Sequence, residues 1–358
     1  MKNEADIMNT IVKKITDDEQ ENKKIYDEAG AILRKGGLVA FPTETVYGLG
    51  GDALDSEASS KIYKAKGRPS DNPLIVHIED LDALYKLSSD VTPKALKLAD
   101  AFWPGPLTMI LKKKDIVPDT ITGGLGTVAI RMPSHPVAAR LIKESGVYIA
   151  APSANTSGKP SPTKAEHVIN DLSGKIDMII EDDTVDIGVE STIVDLSEDI
   201  PVILRPGYVT KKMLEDVVGE VRIDPAIEEG VKEGIVPKAP GMKYRHYAPN
   251  ASLAIIRGDM QSVIDYINKA VTEKEAAGYK TAVMATDETK DLYSCDSVVS
   301  LGSEEDELSV ARNLYAYLRE FDKQGIDYIY SESFPVKNVG QAVMNRLIKA
   351  AGHTIINV

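Results

Sequence analysis

The spacing of apolar positions changes along the chain, and the change divides it. Within residues 21–35 the apolar Ile25, Ala29, Ile32 and Leu33 recur at helical spacing, and Gly36-Gly37 ends the run. Residues 38–41 (Leu-Val-Ala-Phe) read as a short buried strand stopped by Pro42. Ser56–Lys66 reads as a short helix opened by a serine cap. Further strands are expected at 74–78, 107–111, 128–131, 147–151, 178–181, 191–196 and 202–204, with a helix at 135–144. The loops between these brief strands are rich in Gly, Pro, Ser and Thr, and loops of that kind on a rigid sheet are where ligand chemistry sits. Beyond residue 206 the periodicity weakens among Pro206, Pro225, Pro237, Pro240 and Pro249, so 206–249 reads as a linker with at most one helix, Lys211–Val218. From 251 onward strands at 253–256, 281–285, 297–301 and 328–331 alternate with helices at 260–276, 305–323 and 340–351. That alternation predicts a small parallel α/β sheet.

Composition narrows the class. The 358 residues are 43% hydrophobic and 27% charged, enough apolar mass for two globular cores. A formal charge of −13 excludes a protein that lives by wrapping duplex nucleic acid, so any RNA contact is local. The single cysteine, Cys295, permits no intrachain disulfide and no Cys-rich zinc site, which points to a reducing compartment. Residues 1–21 carry charge throughout, unlike a secretory leader, and no apolar run approaches the ~18 residues of a membrane helix. The chain is therefore read as cytoplasmic, with no membrane partner.

Several chemistries lack their residues. There is no G-x-x-x-x-G-K-[ST] loop, no G-x-G-x-x-G after a strand, no H-E-x-x-H and no G-x-S-x-G, and the five histidines are scattered. What recurs instead is a set of strand-end loops made of hydroxyls, amides and a few cations. These are Phe41-Pro-Thr-Glu-Thr-Val-Tyr-Gly-Leu-Gly50, Lys64-Ala-Lys-Gly-Arg-Pro-Ser-Asp-Asn-Pro73, and Gly123-Gly-Leu-Gly-Thr127 before Arg131. Ala151-Pro-Ser-Ala-Asn-Thr-Ser-Gly-Lys-Pro-Ser-Pro162, Glu190-Ser-Thr-Ile-Val-Asp195 and Arg205-Pro-Gly207 complete the set. Backbone N–H groups and hydroxyls in Gly-rich turns beside Lys and Arg suit a polyanion such as a triphosphate. Each loop alone has a plainer reading. Pro42 and glycines 48, 50 and 51 can simply shape a turn, Lys64, Lys66 and Arg68 can be a solvated helix end, and His77 can be a satisfied core histidine. Six such loops in 170 residues are a stronger signal than any one.

These motifs, with Trp103-Pro-Gly-Pro-Leu-Thr and Arg131-x-Pro, resemble in order and spacing the YrdC-type threonylcarbamoyl-AMP synthases over residues 20–206. The segment Pro240-Gly-Met-Lys-Tyr-Arg-His-Tyr-Ala-Pro249 and the α/β region after it resemble the long, two-domain form. The resemblance implies an α/β fold: a YrdC-like twisted mixed sheet with helices, a linker, and a smaller Rossmann-like parallel domain. The division expected is 1–19 as an N-terminal extension, 20–206 as the catalytic domain, 207–249 as linker and lid, and 250–358 as the C-terminal domain. It also implies conversion of L-threonine, bicarbonate and ATP to threonylcarbamoyl-AMP and pyrophosphate, serving modification of the adenosine beside the anticodon of tRNA. Carried over by motif position, Thr45, His77, Arg131, Ala151 and Ser191 are threonine-side residues. Arg68, Asn72, Thr127, Ser153, Ser161, Arg205 and Tyr244 are nucleotide-side residues, and Lys66 joins Arg68 as a catalytic candidate. Magnesium is expected to arrive with ATP, since no dedicated carboxylate cluster stands out. The downstream partner implied is the tRNA threonylcarbamoyl-transfer machinery, and a weak RNA contact is left open.

Other classes compete. A non-catalytic, translation-associated RNA-binding module would use Lys64, Lys66 and Arg68 as a phosphate patch, against which stand the acidic total and the lack of aromatic-rich strands. Carbamoyl-transfer maturation factors of similar fold need Cys-rich zinc motifs, and a sugar-phosphate lyase rests on fold analogy alone. Aromatics interleaved with cations in 240–249 suggest that this segment closes over the nucleotide, with Tyr244 touching it.

Overall fold

The computed structural model describes residues 9–182, 185–229, 238–240 and 246–358. Within these residues the chain forms two compact units, one built from Met1–Ser157, Ser161–Asp186 and Glu190–Lys243, the other from Gly158–Pro160, Ile187–Val189 and Tyr244–Val358.

The first unit holds the strands β1 (Ile11–Lys14), β2 (Val39–Phe41), β3 (Gly48–Asp52), β4 (Ile75–His77), β5 (Leu107–Lys112) and β6 (Thr127–Arg131). It continues with β7 (Ile149–Ala150), β8 (Met178–Glu181), β9 (Thr192–Asp195), β10 (Val202–Arg205) and β11 (Arg222–Ile223). They make one mixed sheet in the order β1-β8-β2-β3-β7-β4-β6-β5-β9-β10-β11. On one side the helix Glu19–Arg34 lays Ile25, Tyr26, Ala29 and Leu33 against Val39, Phe41, Met178 and Ile180, with Leu141 and Ile142 of the helix Pro136–Ser145 beside them. A second core gathers Leu49, Ile62, Val76, Met109, Val128, Ile130 and Val194. Because side chains alternate along a strand, Ile75, Ile110, Ala129 and Ile193 turn to the opposite face, where they pack with Leu204. The polar residues His77, Thr108 and Arg131 fall on that same alternation.

Most elements read from the sequence are present, with ends moved by a residue or two. The cap of Ser56–Lys66 differs: Asp55, not Ser56, is the N-cap, its carboxylate accepting from the Glu57 N–H at 2.8 Å. Four strands were not foreseen, β1, β3 and β11 here and one in the second unit, nor were helices such as Asp82–Leu87, Pro93–Phe102 and Ala165–Leu172. The stretch expected to hold at most one helix contains Lys211–Val218 and also β11 and the short helix Ala226–Glu229, with β11 pairing in parallel with β10.

The glycines at 48, 50 and 51 are strand residues rather than turn formers. A Cβ at Gly50 would lie 2.7 Å from Ile149 Cγ2 and 2.8 Å from Phe41 Cε1. Close passage of β3 between β2 and β7 is what demands glycine there, so the residue serves packing, not a left-handed bend.

The second unit carries β12 (Ser252–Arg257), β13 (Thr281–Ala285), β14 (Val298–Ser300), β15 (Tyr328–Glu332) and β16 (Ile355–Asn357) in the order β14-β13-β15-β12-β16. All pairs are parallel, as the strand–helix alternation predicts. The unforeseen strand here is β16. Of the expected lid segment, residues 241–245, Tyr244 among them, lie outside the described residues. Just after them Tyr247 stacks on Tyr315, with ring centroids 5.3 Å apart. Among the described residues no helix is long and apolar enough to cross a membrane.

Gly50→Ala is expected to cost about 1–3 kcal/mol, the range for overpacking a well-filled core. Thermal unfolding followed by circular dichroism checks this; an unchanged midpoint would mean that β3 has room to spare.

Candidate functional site

Strand register assembles the centre of the site. β4 and β6 run parallel with His77 opposite Arg131, and β5 runs antiparallel to β6 with Thr108 opposite Arg131. Three polar side chains from three strands thus meet on one face of the sheet. Arg131 is 4% exposed, and a buried guanidinium must have its charge answered. Its Nη2 lies 2.7 Å from Oε1 of the equally buried Glu44, its Nη1 donates to Thr45 Oγ1 at 3.0 Å, and its Nε donates to the Gly105 carbonyl at 3.4 Å. Glu44 and Thr45 come from the loop between β2 and β3. That loop is shaped by Thr43, whose hydroxyl donates to the Val46 carbonyl at 2.6 Å and sits 2.9 Å from Thr45 Oγ1.

Electrostatics follow from this burial. Burial pushes the Glu44 carboxyl up, but the Arg131 charge and hydrogen bond, with backbone N–H groups, more than offset it and hold the group below the ordinary carboxylate range. For His77, burial and then the neighbouring Arg131 charge push the imidazole down to about 3, so it is neutral at physiological pH. Its Nδ1 donates to the Ile75 carbonyl at 3.1 Å, which fixes the ring. Ala151, just past β7, is buried and tied back by its N–H to the same Ile75 carbonyl at 2.9 Å.

Ser191 joins through Thr108: the two hydroxyl oxygens are 2.8 Å apart, and both side chains are fully buried. Arg205, at the end of β10, donates from Nε to the Ser191 carbonyl at 3.0 Å and from Nη2 to Ser191 Oγ at 3.1 Å. A hydroxyl held between an arginine and a threonine can turn toward a carboxylate or a carbonyl.

The cationic candidates sit on carbonyl cradles. Lys66 is the last residue of its helix and lies on the buried stripe with Ile62 and Tyr63. Its ammonium donates to the carbonyls of Ser153 and Asn155, the latter at 2.6 Å. Ser153 Oγ donates to Asn155 Oδ1 at 2.5 Å, so the loop after β7 is held together at that point. Gly67, in the left-handed conformation at φ 62°, ends the helix and turns the chain to Arg68. Arg68 Nη2 then donates to the carbonyls of Asn72 and Pro73 at 3.2 and 3.0 Å. Asn72 is 1% exposed, and its Oδ1 has no hydrogen-bond partner among the described residues, an acceptor held ready inside the fold. Thr127 opens β6, two residues before Ala129, which is paired with Ile75 of β4. Ser161 is buried and donates to Glu190 Oε1 at 2.5 Å.

Among the candidates the structure joins Thr45, His77, Arg131 and Ala151 by register and hydrogen bonds, Ser191 with Arg205, Lys66 with Ser153, and Arg68 with Asn72. Ser161 bonds to Glu190 instead of to another candidate. Tyr244 falls outside the described residues. Glu44, Asn155 and Glu190 stood inside quoted motifs without a role, and each proves to be the partner of a candidate. Thr108 likewise closed the quoted Trp103-Pro-Gly-Pro-Leu-Thr motif without a role, and the β5–β6 register sets it against Arg131.

With this geometry in view, the comparisons with known proteins agree. Residues 31–207 match the Sua5/YciO/YrdC family, described as "Telomere recombination", and residues 209–352 match the family "Threonylcarbamoyl-AMP synthase, C-terminal domain". The chain is 49% identical to the threonylcarbamoyl-AMP synthase of Bacillus subtilis, covering 96% of this chain and 97% of that protein. It is likewise 49% identical to the enzyme of that name from Pyrococcus abyssi, over 94% of this chain and 97% of the relative. The crystal structure of P. abyssi Sua5 complexed with L-threonine superposes with a TM-score of 0.90 at 46% identity, covering 98% of this chain and 99% of that one. The chain belongs to the threonylcarbamoyl-AMP synthase family, in its long, two-domain form.

Proposed function

We propose that the chain joins L-threonine, bicarbonate and ATP into threonylcarbamoyl-AMP, with release of pyrophosphate, using the residues assembled around Arg131 and Lys66. The observation that supports this most is the buried Arg131, bonded to Thr45, paired with Glu44 and set opposite a neutral His77. A guanidinium in that setting recognises a planar carboxylate through two parallel N–H donors. A neutral imidazole and the hydroxyls of Thr45 and Ser191 can exchange hydrogen bonds with the threonine hydroxyl. The relative of known structure was complexed with L-threonine.

The reaction has two steps. The threonine nitrogen, as a free amine, attacks bicarbonate with loss of water, or CO2 with loss of a proton to solvent; a carboxylate oxygen of the resulting N-carboxythreonine then attacks the α-phosphorus of ATP, and pyrophosphate leaves. The second step needs positioning and charge neutralisation more than covalent help from the protein. Lys66 and Arg68 supply the charge in this reading, Asn72, Thr127, Ser153, Ser161 and Arg205 hold the nucleotide, and Tyr244 closes on it. Among the described residues no cluster of three or more His, Cys, Asp or Glu side chains could hold a metal ion, so magnesium enters as part of the nucleotide substrate, on its phosphate oxygens. The working division of the chain is 20–206 as the catalytic domain, preceded by an extension, with 207–249 as linker and lid and 250–358 as a C-terminal domain. The product passes to the tRNA threonylcarbamoyl-transfer machinery in the cytoplasm, with at most a weak direct RNA contact.

Pyrophosphate release should depend jointly on ATP, threonine and bicarbonate; release indifferent to threonine would sink the reading and leave a generic nucleotide site. Arg68→Ala should lower kcat/KM by ~100-fold, the scale of one lost charge-assisted transition-state contact. Alanine and 2-aminobutyrate should be much poorer substrates than threonine, since a buried site built to bond a hydroxyl is left unpaired without it. Equal turnover of the three would refute a threonine-specific site.

A pH dependence follows from His77. Its folded value of about 3 lies below the ordinary 6.5, so the stability it contributes is complete above pH 6.5 and is lost as pH falls toward 3. His77→Asn should flatten that part of the profile when thermal midpoints are compared between pH 8 and pH 4. Parallel slopes in the two proteins would show that the imidazole is not held neutral by its burial.

A further inference from the structure

A second concentration of positive charge lies on the other side of the helix that delivers Lys66. A cavity of about 390 Å³ opens there, lined by Lys61, Lys64, Lys175 and Asp177, with Leu38 and Ala65 as its apolar wall. Lys61, Lys64 and Ala65 form an i, i+3, i+4 stripe of the helix Ser56–Lys66, next to the buried stripe of Ile62, Tyr63 and Lys66. The cavity is therefore reached from a different face than the Lys66 cradle. Lys175 and Asp177 arrive from the turn that leads into β8.

The charges here are poised rather than spent. The Lys61 ammonium donates to the Gly36 carbonyl at 2.6 Å and the Lys175 ammonium to the Asp171 carbonyl at 2.8 Å, which fixes both heads while using one of three donors each. No carboxylate pairs with Lys61, Lys64 or Lys175 within 4.0 Å among the described residues. The two carboxylates nearby are engaged with backbone: Asp177 Oδ2 accepts from the Leu38 N–H at 2.7 Å, and Asp55 caps the helix through the Glu57 N–H. Three exposed ammonium groups against the one Asp177 carboxylate leave the lining net positive. In a chain of net charge −13, a cavity lined by three lysines and one aspartate is positive against the overall charge.

We propose that this cavity binds a compact polyphosphate anion of the pyrophosphate class, at a site separate from the catalytic one. Its volume falls at the small end of ligand cavities, ~300–1,000 Å³. Lysine ammonium groups, as compact point charges, neutralise a small multiply charged anion without requiring planar geometry. The small volume suits a short anion better than a continuous RNA backbone, and the Asp177 carboxylate in the wall opposes either. Lys61 and Lys64 share a helix with Lys66, five and two residues before it, so an occupant would bear on the segment that carries a catalytic candidate.

Titration calorimetry of pyrophosphate into the full chain tests this, with Lys61→Met/Lys175→Met and Lys64→Met as variants and a short single-stranded RNA as a parallel titrant. Wild type should show two classes of pyrophosphate site. The double variant should lose affinity at one class by ~100-fold, about tenfold per charge contact, with the Michaelis constant for ATP unchanged. The Lys64 side chain makes no hydrogen bond or ion pair among the described residues, so truncating it leaves the fold intact; it should weaken the same class by ~10-fold. A single class in wild type, or two undiminished classes in the variants, would overturn the proposal. So would loss of RNA binding with pyrophosphate binding intact, which would make the lysines an RNA surface.

Discussion

Withdrawing a guanidinium from water costs several kcal/mol unless the protein answers its charge in good geometry. Arg131 is withdrawn almost completely, and much of the first unit is arranged to answer it. Glu44 supplies the counter-charge, Thr45 and the Gly105 carbonyl accept from Nη1 and Nε, and the Thr43 hydroxyl holds the loop that carries Glu44 and Thr45. His77 stays neutral partly because that positive charge stands beside it. Thr108, opposite Arg131 across the β5–β6 pair, carries the network on to Ser191 and Arg205. A loop, four strands and an electrostatic state thus depend on one buried side chain.

Strand direction gives the site its length. His77 and Arg131 end the parallel strands β4 and β6, while Asn72 and Thr127 stand at their beginnings with Arg68 bonded alongside. At ~3.3 Å per residue, four residues of β6 separate the two groups by about 13 Å. The family resemblance assigns one group to the amino acid and the other to the nucleotide, and register separates them along the same line. Ser191 and Arg205 cross that division, since they are hydrogen-bonded to each other.

The sequence was legible where local rules govern. The helices Lys211–Val218 and Met260–Ala276 and the strand Thr281–Ala285 lie where periodicity set them. Motif order named the candidate residues, and the structure sets Thr45, His77 and Arg131 of that set side by side. What stayed hidden depends on neighbours distant in sequence. The motif ending in Thr108 does not say which side chain that hydroxyl meets, and β1 offers mostly exposed residues that pair with β8.

By itself the sequence determined the class of protein: two α/β units, an acidic chain with one cysteine, and a set of loops suited to a polyanion and a small polar substrate. Those properties follow from residue type and near-neighbour spacing, which the chain carries wherever it goes. Only tertiary structure decided that Gly48, Gly50 and Gly51 form a strand, because the demand for glycine there comes from Ile149 and Phe41 pressing on it. It also decided that Glu44 is the counter-ion of Arg131 and that Lys66 faces Ser153 and Asn155 while Lys61 and Lys64 face a separate cavity. Burial and pairing are properties of the surroundings, and residues about 90 positions apart in sequence become surroundings only when the sheet has closed its register.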